Sequence, residues 1–255
     1  MQTVARRQVL SGIAATSFAA VLADPRLAKA AAEDLETVSI TTQDGRDVKA
    51  ALAMPAALPA PAVLLVHEWW GLNDQIKVVA AELAKEGYIA LAVDLYDEKV
   101  ANQPEDARAY MQAVDPDQAT NTLQSWVAWL RDHDAVGGKI GTVGWCFGGG
   151  WSLNASIAAP VEATVVYYGR VARSAEDLKA LTSPVLGHYA TADKWINQEM
   201  VGAFEGEMAK AEKSNQSYWY EADHAFANPT SARYDEADAK LAWERTLAFF
   251  KEHLG

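Results

Sequence analysis

From residue 37 onward, apolar and polar positions alternate between two rhythms. Short runs that alternate, or are apolar throughout, predict strands; longer runs with apolar residues every three or four positions predict helices. Thr37–Thr41 and Val48–Ala53 flank Asp44-Gly45 and predict an antiparallel hairpin. Ala62–Val66 is apolar at every position, as expected of a strand covered on both faces. Asp74 to Glu86 has helical spacing and is stopped by Gly87. Tyr88–Val93, Lys139–Gly144, Ala163–Tyr168, Pro184–Tyr189 and Gln216–Tyr220 read as further strands, and Asp117–Asp132 as a helix. A last helix, Asp235–His253, carries Leu241, Leu247 and Phe250 on one side. Strands and helices in this alternation predict an α/β fold, a mostly parallel sheet with helices on both faces behind an N-terminal antiparallel hairpin. No internal repeat or low-complexity linker breaks the pattern, so residues 31–255 are expected to form a single domain.

The first thirty residues follow a different logic. Arg6-Arg7 precedes a moderately apolar run from Ile13 to Leu22, and Ala28-Lys29-Ala30 has the small-x-small form of a cleavage site. This order predicts an export signal over residues 1–30, of the twin-arginine type that carries folded proteins, with a mature chain beginning at Ala31 in the periplasm or outside the cell. Removing Arg6, Arg7, Arg26, Lys29 and Asp24 would take the net charge from −12 to about −15.

Composition narrows the function. Thirty-four acidic residues against 22 basic ones disfavour a nucleic-acid phosphate backbone as partner. The single cysteine, Cys146, excludes a disulfide framework within the chain and an all-cysteine zinc site. It also argues against a redox protein, which would need a second, resolving cysteine. Past the N-terminus no apolar stretch is long enough to span a bilayer. Oligomeric state is not legible.

Candidate chemistry lies where strands end. Gly144-Trp145-Cys146-Phe147-Gly148 follows a predicted strand and leads into Gly149-Gly150; it is G-x-S-x-G with sulfur in place of oxygen. Glycines there permit the sharp strand-to-helix turn that lifts a nucleophile above the sheet, and a helix N-terminus favours the thiolate. A thiol nucleophile needs a base, and the base an orienting acid. Of five histidines, His133 and His253 sit at helix ends and His188 lies inside a strand, while His67 ends the third strand. His224 follows the final strand, the late position that the order nucleophile, acid, histidine requires. Asp193, on the loop after the Pro184 strand, fits the acid; Asp177 falls in a helical stretch and Asp223 is adjacent to the histidine.

With His67-Glu68-Trp69-Trp70-Gly71, Asp94-Leu95-Tyr96, the cysteine elbow, Asp193 and His224-Ala225-Phe226, the chain from about residue 37 resembles the dienelactone hydrolase family. The resemblance implies an α/β-hydrolase fold, a Cys146-Asp193-His224 triad and hydrolysis of an ester or lactone through a thioester, with no metal or organic cofactor. It also implies that Glu68 contacts the resting thiol and helps to ionise it. Backbone N–H groups of Phe147 and Trp69 are the expected oxyanion donors. Trp70, Tyr96, Trp145 and Phe226 are candidates for an aromatic substrate pocket, with core packing the competing role. Two arginines that hold the lactone carboxylate in the family are replaced here by Asp97-Glu98 and by Ala227-Asn228, and Lys99 alone is nearby. A substrate less anionic than dienelactone is therefore expected. A cysteine amidase or peptidase, or a non-catalytic binding protein on the same fold, are the alternatives.

Overall fold

The computed structural model describes residues 21–22 and 24–255. Arg6-Arg7 and most of the apolar run assigned to the export signal lie outside them. Helix α1 (Pro25–Glu33) is followed by strands β1 (Glu36–Thr41), β2 (Asp47–Ala53) and β3 (Ala60–Val66), α2 (Asp74–Lys85) and β4 (Ile89–Val93). Next come α3 (Pro104–Ala113), α4 (Pro116–Asp132), β5 (Val136–Trp145), α5 (Phe147–Ala158), β6 (Ala163–Tyr167) and α6 (Ala175–Leu178). The chain ends with β7 (Val185–Ala190), α7 (Gln198–Lys210), β8 (Asn215–Tyr220) and α8 (Glu236–Leu254). One eight-stranded sheet runs β1-β2-β4-β3-β5-β6-β7-β8. β1 and β2 pair antiparallel, as does β2 with β4; every later pairing is parallel.

The continuous apolar run of β3 divides between the two faces as strand geometry requires. Val63 and Leu65 pack with Val79 and Leu83 of α2 and Phe250 of α8. Ala62, Leu64 and Val66 pack with Leu123, Trp126 and Leu130 of α4 on the other side. Helix starts follow their caps: Asn73 Oδ1 accepts from Ile76 N–H, and Asp235 Oδ1 from Asp238 N–H. Three helices were not predicted: α1, in and just past the stretch read as an export signal, and α3 and α7. α3 buries only Ala107, and α7 buries Val201, Phe204 and Met208 among charged neighbours, so neither leaves a clear apolar stripe in the sequence.

Two features position the site. Helix α5 is drawn against β5 and β6 by buried hydroxyls: Ser152 donates to the Val165 carbonyl (2.9 Å) and Thr164 to Ser156 Oγ (2.6 Å). On the other side of the site, β7 and β8 extend their pairing into the loops above them, through Thr191 N–H to Tyr220 O (2.9 Å) and Ala192 N–H to Ala222 O (3.0 Å). Beneath these loops His188 is fully buried, with Nδ1 2.8 Å from the Tyr220 hydroxyl and Nε2 3.0 Å from Thr246 Oγ1. Burial, and after it the Arg245 charge, pulls its imidazole down to about 3. At the N-terminus, Ala28 of α1 is buried with Val21, Leu22 and Val78 of α2, and the expected cleavage junction after Ala30 falls inside α1.

Candidate active site

Each side chain of the site stands on a segment just past the C-terminal end of a strand, where an α/β sheet opens its crevice. Cys146 is the single residue between β5 and α5, and it is held at φ +54°. That left-handed conformation is strained for a residue with a Cβ and is kept by its surroundings. Glycine is required on both sides: a Cβ at Gly144 would lie 2.0 Å from Gly148 O, and one at Gly148 would lie 2.2 Å from Val66 O. The elbow thus forms because the sequence removes side chains where strand, turn and helix cross.

Cys146, His224 and Asp193 meet. Cys146 Sγ is 3.0 Å from His224 Nε2, and His224 Nδ1 is 2.6 Å from Asp193 Oδ2. The other oxygen of Asp193 accepts from Trp195 N–H (2.8 Å) and Ile196 N–H (3.1 Å), which fixes the carboxylate. Burial works to raise Asp193, but His224 and those two N–H groups outweigh it and hold the carboxyl below its ordinary range. For His224 burial disfavours charge, yet the hydrogen bonds to Asp193 and Cys146 prevail and push it up to about 10. The ring thus presents one nitrogen to a carboxylate and the other to sulfur.

Glu68 is buried, and its expected contact with the thiol is not made. Oε2 accepts from Asn228 Nδ2 (2.7 Å) and Oε1 from the Tyr168 hydroxyl (3.3 Å), while Cys146 is turned to His224. Burial raises the Glu68 carboxyl, against the opposing pull of Asn228, His224 and Tyr168. His67 organises the main chain beside it: Nδ1–H donates to the Glu68 carbonyl (2.6 Å) and Nε2 accepts from Leu95 N–H (3.2 Å). The two bonds fix one neutral tautomer. Trp69 N–H has no hydrogen-bond partner among the described residues. Phe147 is the first residue of α5, where the backbone N–H has no partner within the helix. Both residues line the cavity over Cys146.

That cavity measures about 1510 Å³ and contains Glu68, Cys146 and His224. Of the four pocket candidates only Trp70 lines it. Tyr96 is packed behind the site between His67 (4.7 Å) and Phe147 (5.5 Å). Trp145, the last residue of β5, points into the core and stacks on Tyr167 (5.5 Å). Phe226 is fully buried against Tyr220 (4.8 Å) and Tyr168 (5.5 Å). Neighbours of a reacting residue in sequence face away from it when the backbone alternates or turns, so proximity in the chain misplaced these three.

The cavity also holds cations that the sequence reading did not place there. Arg108, Arg170, Arg173 and Arg233 line the cavity, whereas Lys99 does not; its ammonium lies 5.8 Å from the centre of the Tyr110 ring. Other lining residues went unread in the sequence: Tyr168 and Asn228, which hold Glu68, and Trp195, more than half exposed, with its ring 5.2 Å from His224. Their one signal was position just past the ends of β6, β8 and β7.

An α/β-hydrolase fold with a cysteine at its nucleophile elbow defines the class. Residues 48–254 match the model of the dienelactone hydrolase family, and the chain belongs to that family. It is 29% identical over 228 residues to a carboxymethylenebutenolidase of Pseudomonas putida, an alignment covering 84% of this chain and 95% of the relative. It is 26% identical over 220 residues to carboxymethylenebutenolidase 1 of Cupriavidus pinatubonensis, covering 82% and 94%. Among solved structures, a Klebsiella pneumoniae protein assigned as a dienelactone hydrolase superposes with a TM-score of 0.78 at 28% identity, over 86% of this chain and 98% of that one. A dienelactone hydrolase-like promiscuous phosphotriesterase from metagenomic libraries shares the fold, with a TM-score of 0.79 at 24% identity over 87% and 99%. The chain is a dienelactone hydrolase-like hydrolase.

Proposed function

We propose that the protein hydrolyses a carboxylic ester or lactone through a thioester on Cys146. The observation that carries this reading is the 3.0 Å approach of Cys146 Sγ to a His224 whose far nitrogen is held by Asp193. His224 Nε2 takes the thiol proton across that contact, and the sulfur attacks as the thiolate. The thiolate adds to the carbonyl carbon, and the oxygen takes the negative charge beside the N–H groups of Phe147 and Trp69. The adduct collapses to a thioester as the leaving alkoxide takes the Nε2 proton of His224. The now neutral imidazole removes a proton from water, which attacks the thioester. Collapse of the second adduct releases the carboxylic acid and restores the Cys146–His224 pair. Glu68 lines the cavity beside the pair, and its raised carboxyl is suited to lending or taking a proton as the sulfur changes charge.

The test is the Cys146→Ala variant with short-chain 4-nitrophenyl esters. Turnover is expected to vanish while the melting curve stays in place, and iodoacetamide should inactivate the native protein in step with labelling at Cys146. Full activity in the alanine variant would dismiss the thioester.

Export by the twin-arginine route, with the mature chain starting at Ala31, is part of the same proposal. It is supported by Arg6-Arg7, the apolar run and Ala28-Lys29-Ala30. Because Ala30 lies inside α1, that helix has to open before a protease can reach the junction. Intact-mass measurement of the protein from its native cell should give a chain beginning at Ala31; retention of Met1 in a cytoplasmic fraction would refute export.

A further inference from the structure

Most cations in this molecule that lie close to an acid do so at the surface, as Lys85 with Glu82 and Arg131 with Glu162. The cavity breaks that pattern. Apart from His224, which Asp193 holds, its cations are arginines, and none of Arg108, Arg170, Arg173 and Arg233 has a carboxylate within 4.0 Å among the described residues. Two carboxylates share the lining, Glu68 and Asp117. Even with both ionised, at least two positive charges go unanswered, in a chain whose net charge is −12. An acidic protein that gathers unpaired guanidinium groups in one cleft gives up stability there unless something anionic enters.

Arg170 and Arg173 stand closest to a built subsite. Both lie on the segment between β6 and α6. Its start is pressed against the elbow helix: a Cβ on Gly169 would lie 2.5 Å from Gly149 Cα, and a Cβ on Gly150 would lie 3.1 Å from Arg170 O. The contact that shapes the elbow therefore also fixes where Arg170 starts. Arg173 is half-buried, and one of its Nη1 protons is spent on the Ala172 carbonyl (2.9 Å). Burial pulls its guanidinium down from its ordinary value, the Arg170 charge adds to that, and Asp177 opposes. Asp177 is already engaged, accepting from Ser174 N–H (3.0 Å) and Ser174 Oγ–H (2.7 Å) as the third residue of the capping box in which Ser174 caps α6. Four tryptophans, Trp69, Trp70, Trp151 and Trp195, share the lining with polar residues. Its volume of about 1510 Å³ exceeds that of an ordinary small-molecule pocket, about 300–1000 Å³.

We propose that the cavity accepts an amphipathic ester whose far end carries a doubly charged oxyanion group, and that Arg170 and Arg173 receive that group. The apolar body lies along the tryptophans and the scissile carbonyl reaches Cys146. This rests on the hydrolase reading above and gives it a substrate class. It also departs from the less anionic substrate expected from the sequence: the cations come from the β6–α6 segment, not from the two places where the family's arginines are missing. Paired guanidinium forks bind oxyanions bidentately, which lysines in the same places would not do.

Three 4-nitrophenyl octanoates, ending in a phosphonate, a carboxylate or a carboxamide, test it. kcat/KM is expected to fall in that order, by about tenfold or more from phosphonate to carboxamide, mainly through KM. Salt at 0.5 M should compress the ratio. The Arg170→Gln/Arg173→Gln double variant should abolish the preference; if that variant misfolds, Arg170→Gln alone should reduce it. Equal rates for the three esters, or a preference that survives the substitutions, would overturn the proposal. A preference for the carboxylate over the phosphonate would overturn its doubly charged part. Calorimetry with the matching anilides on Cys146→Ala separates the two readings. Tighter binding of the phosphonate anilide, with no ester turned over by the native protein, would leave the subsite standing and remove the esterase.

Discussion

His224 and His188 sit one above the other at the β7–β8 edge of the sheet, and both use both ring nitrogens. Both are buried. Yet burial leads to opposite outcomes, with His188 pulled down to about 3 and His224 pushed up to about 10. The difference lies in the partners. His188 meets the hydroxyls of Tyr220 and Thr246, which satisfy a neutral ring but bring no negative charge, and Arg245 lies close enough to repel a proton. His224 meets a carboxylate and a sulfur, each of which repays a proton on the ring. Desolvation alone makes a histidine inert; desolvation between two anion-forming groups makes it a proton store.

The largest effect that should distinguish them is on turnover. His224→Gln is expected to lower kcat/KM for a 4-nitrophenyl ester by about 1000-fold or more, with the far-ultraviolet circular dichroism spectrum unchanged. His188→Gln should leave turnover within a few-fold. Loss of activity in the His188 variant at an unchanged melting temperature would show that the two rings are coupled and the contrast is wrong.

Stability should reverse the ranking. His188→Ala leaves the hydroxyls of Tyr220 and Thr246 short of a partner and opens a void under Tyr167, a cost of about 2–4 kcal/mol by denaturant titration. A cost below about 1 kcal/mol would mean that water or repacking replaces the ring.

The smallest and sharpest test is pH. His188 has a folded value below the ordinary 6.5, so its contribution is present above 6.5 and is lost as pH falls toward about 3. His224 has a folded value above 6.5, so its contribution is complete below 6.5 and is lost as pH rises through about 10. Melting temperature against pH should therefore lose part of its acid limb in His188→Gln and part of its alkaline limb in His224→Gln. Matching changes on the same limb in both variants would remove the electrostatic account of the difference.

Much of this was legible in the chain. Strand positions and the mostly parallel sheet followed from the apolar runs, because a sheet covered on both faces leaves no room for polar residues at Ala62–Val66 or Ile89–Val93. The nucleophile, acid and base candidates followed from one motif and an order rule, and the three side chains do meet. Direction was not legible. Trp145 and Cys146 are adjacent in sequence, yet one faces the core and the other the cavity. The arginines were not legible for a related reason: the resemblance marks only two places for them, whereas Arg170 and Arg173 come from a loop with no motif of its own. Asn228, read only as a missing arginine, turned out to be the partner of Glu68.

The contacts of this site are long in sequence: 78 residues separate Cys146 from His224, and 160 separate Glu68 from Asn228. Such closures are late events, since each must first overcome the entropy of the loop it ties. Helical signal should thus return early in refolding and esterase activity last, making turnover a clock for completion of the fold. A chain interrupted before residue 228 would lack His224 or the clasp on Glu68 however much of its sheet had formed. For a protein proposed to cross a membrane already folded, the chemistry would be complete before export and its substrate met only afterwards.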